Sequence, residues 1–310
     1  MSNGEARAYV EQIVAFGKQL KPAAVDDLDR RRAFVEELVR LSRDLVALPP
    51  VPATNIEAFR ERIMPHVDSI MRVVAGAQAL RRRALNEEQR AAIDVLSVPG
   101  DLLGLLGQER SEVAHTAALG AFLNTEPRSP FPALAQACAR EFEEVLRDAH
   151  SRNGGSPLPA LRLDESHVDC EHALPTGDRV DVVLESRAAI VFVEAKIDAE
   201  ARERQLDDYA DALDARAKFD PRHRVLVFLT VRANQAAGTT RVHVHVTFLD
   251  LLRAWLPLAA GGMRGTHDLA RYLKTIATHL CSIASRGAFD EWPLHVQRRC
   301  LEFLEKGTTP

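Results

Sequence analysis

The sequence has few cysteines, and they form no recognisable motif. Four occur among the 310 residues, and they are scattered along the chain as Cys138, Cys170, Cys281 and Cys300. This spacing matches neither a disulfide framework nor a zinc-ligand motif. We therefore expect buried thiols and a cytoplasmic protein.

The chain also lacks the features of several large protein classes. It has no apolar run as long as a membrane helix, and its N-terminus has no basic stretch followed by an apolar core, so we expect no membrane contact and no secretory signal. The net charge of −4 gives no overall positive field that would attract nucleic acid. The absence of a Walker-type glycine loop and of a Ser-His-Asp arrangement excludes a built-in ATPase and a serine hydrolase.

The apolar pattern divides the chain in two. Residues 1–107 follow helical spacing and carry no recognisable chemistry. From 108 onward, helices and strands are mixed. We predict strands over 167–173, 179–185, 190–197, 223–231 and 241–248, and helices over 109–123, 132–149, 199–217, 249–257, 267–284 and 290–306. This order predicts an α/β domain over 108–310, with a mixed β-sheet flanked by helices, and an all-helical N-terminal region over 1–107.

Three charged residues fall on what the sequence predicts to be one β-hairpin. If Glu185 pairs with Ile190 across the short link, Asp181 faces Glu194, with Cβ atoms roughly 4.5–5.5 Å apart. At an effective dielectric constant of about 20, two such carboxylates repel by about 3 kcal/mol. Lys196 lies two residues beyond Glu194 and shares its face. The hairpin therefore indicates a site for a hard divalent cation such as Mg²⁺; the alternative is that these charges lie in solvent at frayed strand ends.

A pair of polar residues follows on the next helix. Gln205 and Tyr209 are four apart and share one helical face, near an end whose partial positive charge suits a phosphate. Such a pair by itself is usually structural. Its position directly after the acid–acid–lysine hairpin makes the pair a more specific indication of a functional site.

These motifs together resemble the PD-(D/E)XK nuclease superfamily. The resemblance rests on Gly-Asp-Arg-Val-Asp181, Val-Phe-Val-Glu194-Ala-Lys196 and Gln205-Leu-Asp-Asp-Tyr209, and extends upstream to Glu112-Val-Ala-His115-Thr. It covers residues 108–257 and is similar to the branch with an E-x-x-H helix and a Q-x-x-x-Y element, as in lambda-exonuclease-like enzymes. Val180 stands where the name-giving proline would be, a position without a ligand atom. The implied fold is restriction-endonuclease-like.

The resemblance implies a set of metal ligands. Asp181 and Glu194 would bind Mg²⁺ or Mn²⁺, with the backbone carbonyl of Ala195 as a further ligand. Glu112 would add a third carboxylate, directly or through water. Glu171, near the first strand, is a lesser candidate for an extra ligand.

The resemblance also implies roles around the metal. Lys196 would orient or help deprotonate the attacking water, Gln205 would fix the active-site acid or the scissile phosphate, and Tyr209 would contact the substrate backbone. For His115, contact with phosphate or the metal-bound water competes evenly with a packing role between helix and sheet. The alternating His243 and His245 indicate an exposed strand face rather than a metal site.

These observations favour a metal-dependent nuclease that hydrolyses phosphodiester bonds in DNA, in bacterial genome defence or repair. RNA cleavage by the same fold, and a non-catalytic nucleic-acid-binding or regulatory protein, stay open as alternatives. We expect a homodimer through the N-terminal helices. The residues do not choose between endonuclease and exonuclease action.

Overall fold

The computed structural model describes residues 85–152, 157–198, 204–217, 220–233 and 241–306, together with the single residues 40, 65, 68, 69, 72, 202, 237 and 239. The helices predicted over the first 84 residues, and their role as a dimer interface, lie outside the described residues. The chain divides into two compact units, Met1–Leu85 and Asn86–Pro310. Among the described residues, no helix is both long and apolar enough to cross a lipid bilayer.

One five-stranded sheet forms the centre of the second unit. Its strands lie side by side in chain order, β1 (His167–Ala173), β2 (Arg179–Glu185), β3 (Ala189–Lys196), β4 (His223–Thr230) and β5 (Val244–Thr247). β2 pairs antiparallel with both β1 and β3, and β4 pairs parallel with both β3 and β5. The predicted mixed sheet is confirmed.

Seven helices accompany the sheet in the described residues. They are α1 (Glu87–Leu96), α2 (Glu112–Leu123), α3 (Pro132–Arg152), α4 (Gln205–Ala217), α5 (Phe248–Ala259), α6 (Thr266–Thr275) and α7 (Leu294–Lys306). Several begin at polar caps that satisfy backbone N–H groups: the side chain of Ser111 accepts from Ala114 N, and Thr247 forms a capping box with Asp250.

The central strand β3 is apolar because helices cover both faces of the sheet. All of its residues are buried, as expected for a strand enclosed on both sides. On one face, Leu206, Tyr209 and Leu213 of α4 pack against Phe192 and Phe228. Helices α2, α3 and α5 contact the sheet as well. The flanked α/β architecture predicted from the sequence is therefore confirmed.

Several element ends differ from the predicted ones by three or more residues. Strand β5 begins at Val244, not at 241, because Arg241 instead forms ion pairs with Asp211 and Asp214 on α4. Helix α4 begins at Gln205, because the Gln205 side chain accepts a hydrogen bond from the Arg202 backbone N–H. The predicted helix over 267–284 ends as an α-helix at Thr275, followed by a π-helical turn over Ile276–Leu280.

Residues 86–107 belong to the same compact unit as the sheet, although their sequence pattern groups them with the N-terminal helices. The buried Lys274 ammonium of α6 donates to Val98 O at 2.8 Å, and Leu102 N donates to Arg271 O at 3.1 Å. These hydrogen bonds hold residues 86–107 against α6.

Gly265, the residue before α6, allows a test of the close packing between the start of α6 and Phe131. Its φ is +94°, and a Cβ there would lie 2.5 Å from Cδ1 of Phe131. We expect Gly265→Ala to lower the free energy of unfolding by about 2–4 kcal/mol, through backbone strain and overpacking. The control is Gly262→Ala, where a Cβ meets nothing within 4 Å. Denaturant unfolding is the measurement, and equal midpoints for the two variants would contradict the assignment.

Candidate active site

The register of the β2–β3 hairpin brings two acids together. Glu185 pairs with Ile190 and Val182 with Val193, as the sequence predicted. Continuing this register by one residue places Asp181 opposite Glu194. The Ala195 backbone N–H donates to Asp181 Oδ2 at 2.8 Å, which fixes that carboxylate against the end of β3.

The Lys196 ammonium lies between two carboxylates at the end of β3. Its Nζ is 2.6 Å from Glu194 Oε1 and 3.3 Å from Glu112 Oε2. Glu112 is the first residue of α2, and its Oε1 accepts from the Ile197 backbone N–H at 3.0 Å. These contacts join the start of a helix to a strand end 84 residues further along the chain.

Gln205 and Tyr209 hold Glu194 from the other side. Gln205 Nε2 donates to Glu194 Oε1 at 2.6 Å and to the Tyr209 hydroxyl at 3.0 Å. The Tyr209 hydroxyl in turn donates to the Arg179 backbone carbonyl, and its ring is fully buried. Helix α4 therefore orients Glu194 through a chain of buried hydrogen bonds. The predicted contact of Tyr209 with the substrate backbone stays a prediction.

Burial and like charge dominate the electrostatics of the site. Burial, followed by repulsion from Glu194, raises the pKa of Asp181 to about 7, although the Ala195 N–H and Lys196 oppose this shift. Burial likewise raises the pKa of Glu194, although Lys196 opposes this shift. Burial lowers the pKa of Lys196, but attraction to Glu194 and Glu112 outweighs it, so the net shift is upward. The amine is therefore held as a cation.

The donor atoms fit a hard divalent cation. Glu194 is 1% exposed, and its Oε2 is buried without a hydrogen-bond partner in the part of the chain that the structure describes. A buried carboxylate oxygen left without a partner carries a large desolvation cost, which a bound cation would offset. Asp181 and Glu194 supply the facing carboxylates.

The third predicted carboxylate, that of Glu112, is hydrogen-bonded within the protein. Both oxygens of Glu112 accept hydrogen bonds, one from Lys196 and one from Ile197. No three Asp, Glu, His or Cys side chains among the described residues converge into a ligand set as they stand. Ligation by Glu112 and by the Ala195 carbonyl stays a prediction.

His115 is placed as a packing residue. It is 1% exposed, its Nε2 lies 3.0 Å from Glu109 O, and its Nδ1 lies 3.3 Å from the Tyr272 hydroxyl. The ring also packs edge-on against Phe248. Burial lowers its pKa, although the Glu109 carbonyl opposes this shift. The arrangement favours the packing alternative over a phosphate contact.

Two further contacts near the site were not anticipated from the sequence. Arg110 Nε donates to Asp198 Oδ2 at 2.7 Å, and its NH1 donates to His279 O at 2.8 Å, which ties three distant segments together. His245 is half-buried, and its Nε2 lies 2.7 Å from the hydroxyl of Thr230. No short-range pattern signals either contact, because the partners are far apart in the sequence or on different strands.

The Asp181→Asn variant tests how much the burial of the Asp181 charge, next to Glu194, destabilises the metal-free protein. The folded-state pKa of Asp181 lies above its ordinary value of 3.8, so the metal-free wild type loses stability as pH rises from about 4 to 7. Asparagine keeps an acceptor for Ala195 N–H without the charge. In EDTA, the advantage of Asp181→Asn in unfolding free energy should grow by about 1–3 kcal/mol between pH 5 and pH 8. A difference that does not change with pH would refute this; denaturant titration at both pH values measures it.

The His115→Gln variant distinguishes a packing role of His115 from a contact of His115 with the substrate. Because the ring is buried among Phe248, Tyr272 and the Glu109 carbonyl, the variant should lose about 1–3 kcal/mol of stability. Cleavage per folded molecule of any accepted nucleic acid should stay within about three-fold of wild type, which is under 1 kcal/mol. A large loss of cleavage at unchanged stability would restore the phosphate-contact alternative.

Comparison with known proteins identifies the family of the chain. A family model for the PD-(D/E)XK nuclease superfamily matches residues 101–281, which include all of the predicted site residues. No curated protein and no solved structure matches the chain. The family match covers more than half of the 310 residues. The chain belongs to the PD-(D/E)XK nuclease superfamily.

Proposed function

We propose that this protein is a metal-dependent nuclease that hydrolyses phosphodiester bonds in DNA, with Asp181 and Glu194 holding Mg²⁺ or Mn²⁺. The observation that carries the proposal is the buried Glu194 carboxylate, whose Oε1 is bound by Lys196 and Gln205 while Oε2 has no partner among the described residues. One oxygen is fixed by the protein, and the other is left for a cation.

The side chains of the site have separate roles in the proposed reaction. A bound divalent cation would lower the pKa of the attacking water and compensate charge on the phosphate oxygens. Lys196, with its raised pKa, stays an ammonium and supplies positive charge where the transition state gains negative charge. This supports an orienting and electrostatic role for Lys196 over that of a base. Glu112 holds the ammonium in place from α2.

The choice of DNA rests on the resemblance to the branch with the Gln205–Tyr209 element. RNA is the alternative substrate of the same site, because phosphodiester chemistry is shared by both polymers. A role in bacterial genome defence or repair, and a homodimer formed through residues 1–107, belong to the same proposal.

A non-catalytic nucleic-acid-binding protein is the alternative from another class. The buried charges weigh against it. Lys196 is 9% exposed and Glu194 is 1% exposed, and burying such charges costs several kcal/mol unless they are paired or bind a metal. The Lys196–Glu194 ion pair offsets part of this cost, and the rest falls on Glu194 Oε2, which a bound cation would satisfy.

The test is cleavage of supercoiled plasmid, linear duplex, single-stranded DNA and RNA in Mg²⁺ or Mn²⁺, with EDTA as a control. Lys196→Met should lower the rate by about 10²–10⁴-fold, because it removes the ammonium beside the reacting phosphate. Lys274→Met is the matched control, since Lys274 is also a buried lysine, and its hydrogen bonds in the described residues go to the Val98 and Gly287 carbonyls. It should lose stability but keep its cleavage rate per folded molecule.

The outcomes separate the alternatives. Cleavage that persists in EDTA or in Lys196→Met contradicts the proposed site. Cleavage of RNA alone assigns the alternative substrate. A folded protein that neither cuts any substrate nor binds metal is the non-catalytic protein.

A further inference from the structure

An exposed arginine follows the carboxyl end of β4, one strand away from the active-site lysine. Lys196 and Thr230 are paired in the parallel register of β3 and β4, and Arg232 lies two residues beyond that pair. Its side chain is exposed and makes no hydrogen bond or ion pair in the part of the chain that the structure describes. Ligands of sheets with parallel strands bind outside the carboxyl ends of those strands. Arg232 therefore offers a cation at the edge of the sheet where the proposed reaction occurs.

Two hydrogen bonds fix the backbone of Arg232. The Thr230 hydroxyl donates to Arg232 O at 2.8 Å, and His245 Nε2 lies 2.7 Å from the same hydroxyl oxygen. Because the single proton of the hydroxyl goes to the carbonyl, His245 Nε2 is the donor in the second hydrogen bond. Strands β4 and β5 therefore hold the Arg232 backbone in place before a ligand arrives, which lowers the cost of ordering on binding.

The carboxylate that attracts Arg232 is already paired with another arginine. Arg110 donates to both oxygens of Asp198, through Nε at 2.7 Å and through NH2. This pairing holds the pKa of Asp198 below its ordinary value, and the charge of Arg232 contributes to the lowering. Since Arg110 occupies both carboxylate oxygens, the guanidinium of Arg232 stays available for an anion from solution.

We propose that Arg232 binds a phosphate of the nucleic-acid backbone next to the phosphate that is cleaved, and so positions the substrate across the ends of β3 and β4. This inference rests on the proposed function, because the ligand is the substrate of that site. A guanidinium suits a phosphate, since its planar N–H groups match two phosphate oxygens. Contacts of this kind position a nucleic acid without reading its base sequence.

The test is equilibrium binding of a labelled DNA duplex and of a labelled RNA strand, followed by fluorescence anisotropy over a series of salt concentrations. Lys196→Met in Mg²⁺ is the parent protein, so that the probes stay intact during the measurement. Adding Arg232→Gln should weaken binding about three- to ten-fold. It should also lower the magnitude of the slope of log K against log salt by about 0.7–0.9, which corresponds to one lost phosphate contact.

The matched control is Arg224→Gln in the same parent protein. Arg224 is also an exposed arginine but lies near the amino end of β4, about 25 Å along the strand from Arg232, where its NH1 is 3.5 Å from Asp220 O. This variant loses the same charge and should keep both the affinity and the slope. Arg232→Lys should keep the slope as well, because an ammonium still contacts a phosphate as a point charge.

The possible results distinguish this inference from the proposed function. Equal affinity and slope for Arg232→Gln and Arg224→Gln overturn the role of Arg232, and so does a parent protein that binds neither probe. Metal-dependent cleavage by the wild type leaves the proposed function standing in either case. A lowered slope in Arg232→Gln, together with a wild type that cuts no substrate, supports the phosphate site and assigns the protein to the non-catalytic alternative.

Discussion

The structure depends on the burial of like charges at the end of β3. Asp181 and Glu194 occupy facing positions on neighbouring strands, where two carboxylates repel by about 3 kcal/mol at an effective dielectric constant of about 20. The fold keeps Lys196 against Glu194 and directs the Ala195 N–H at Asp181. These contacts only partly offset the burial of the two carboxylates, since burial keeps the pKa of both acids raised, with repulsion from Glu194 as a further cause at Asp181.

Two helices begin at the site. Glu112 and Gln205 are the first residues of α2 and α4, and each uses its side chain to bind a group on or next to β3. Helix N-termini carry partial positive charge, so both helices start where negative charge accumulates. The packing of α2 and α4 is thus coupled to the chemistry of the strand between them.

The C-terminal helices extend this coupling outward. Tyr272 of α6 contacts His115 of α2, and Arg110 joins Asp198, just beyond β3, to the π-helical turn after α6. The first turn of α2 is therefore held from the sheet and from the C-terminal helices together. These helices therefore contribute to the position of α2, whose first residue Glu112 contacts Lys196.

The sequence by itself determined the hairpin, the mixed α/β fold and the grouping of Asp181, Glu194 and Lys196, because strand periodicity of two and apolar arms are local properties. It also indicated Gln205 and Tyr209, whose spacing of four is local to one helix. Tertiary structure decided that Glu112 binds Lys196, that His115 is buried against Tyr272 and that Tyr209 turns inward. It also decided the left-handed backbone of Glu171. These features arise from contacts between residues far apart in the chain, which no local pattern records.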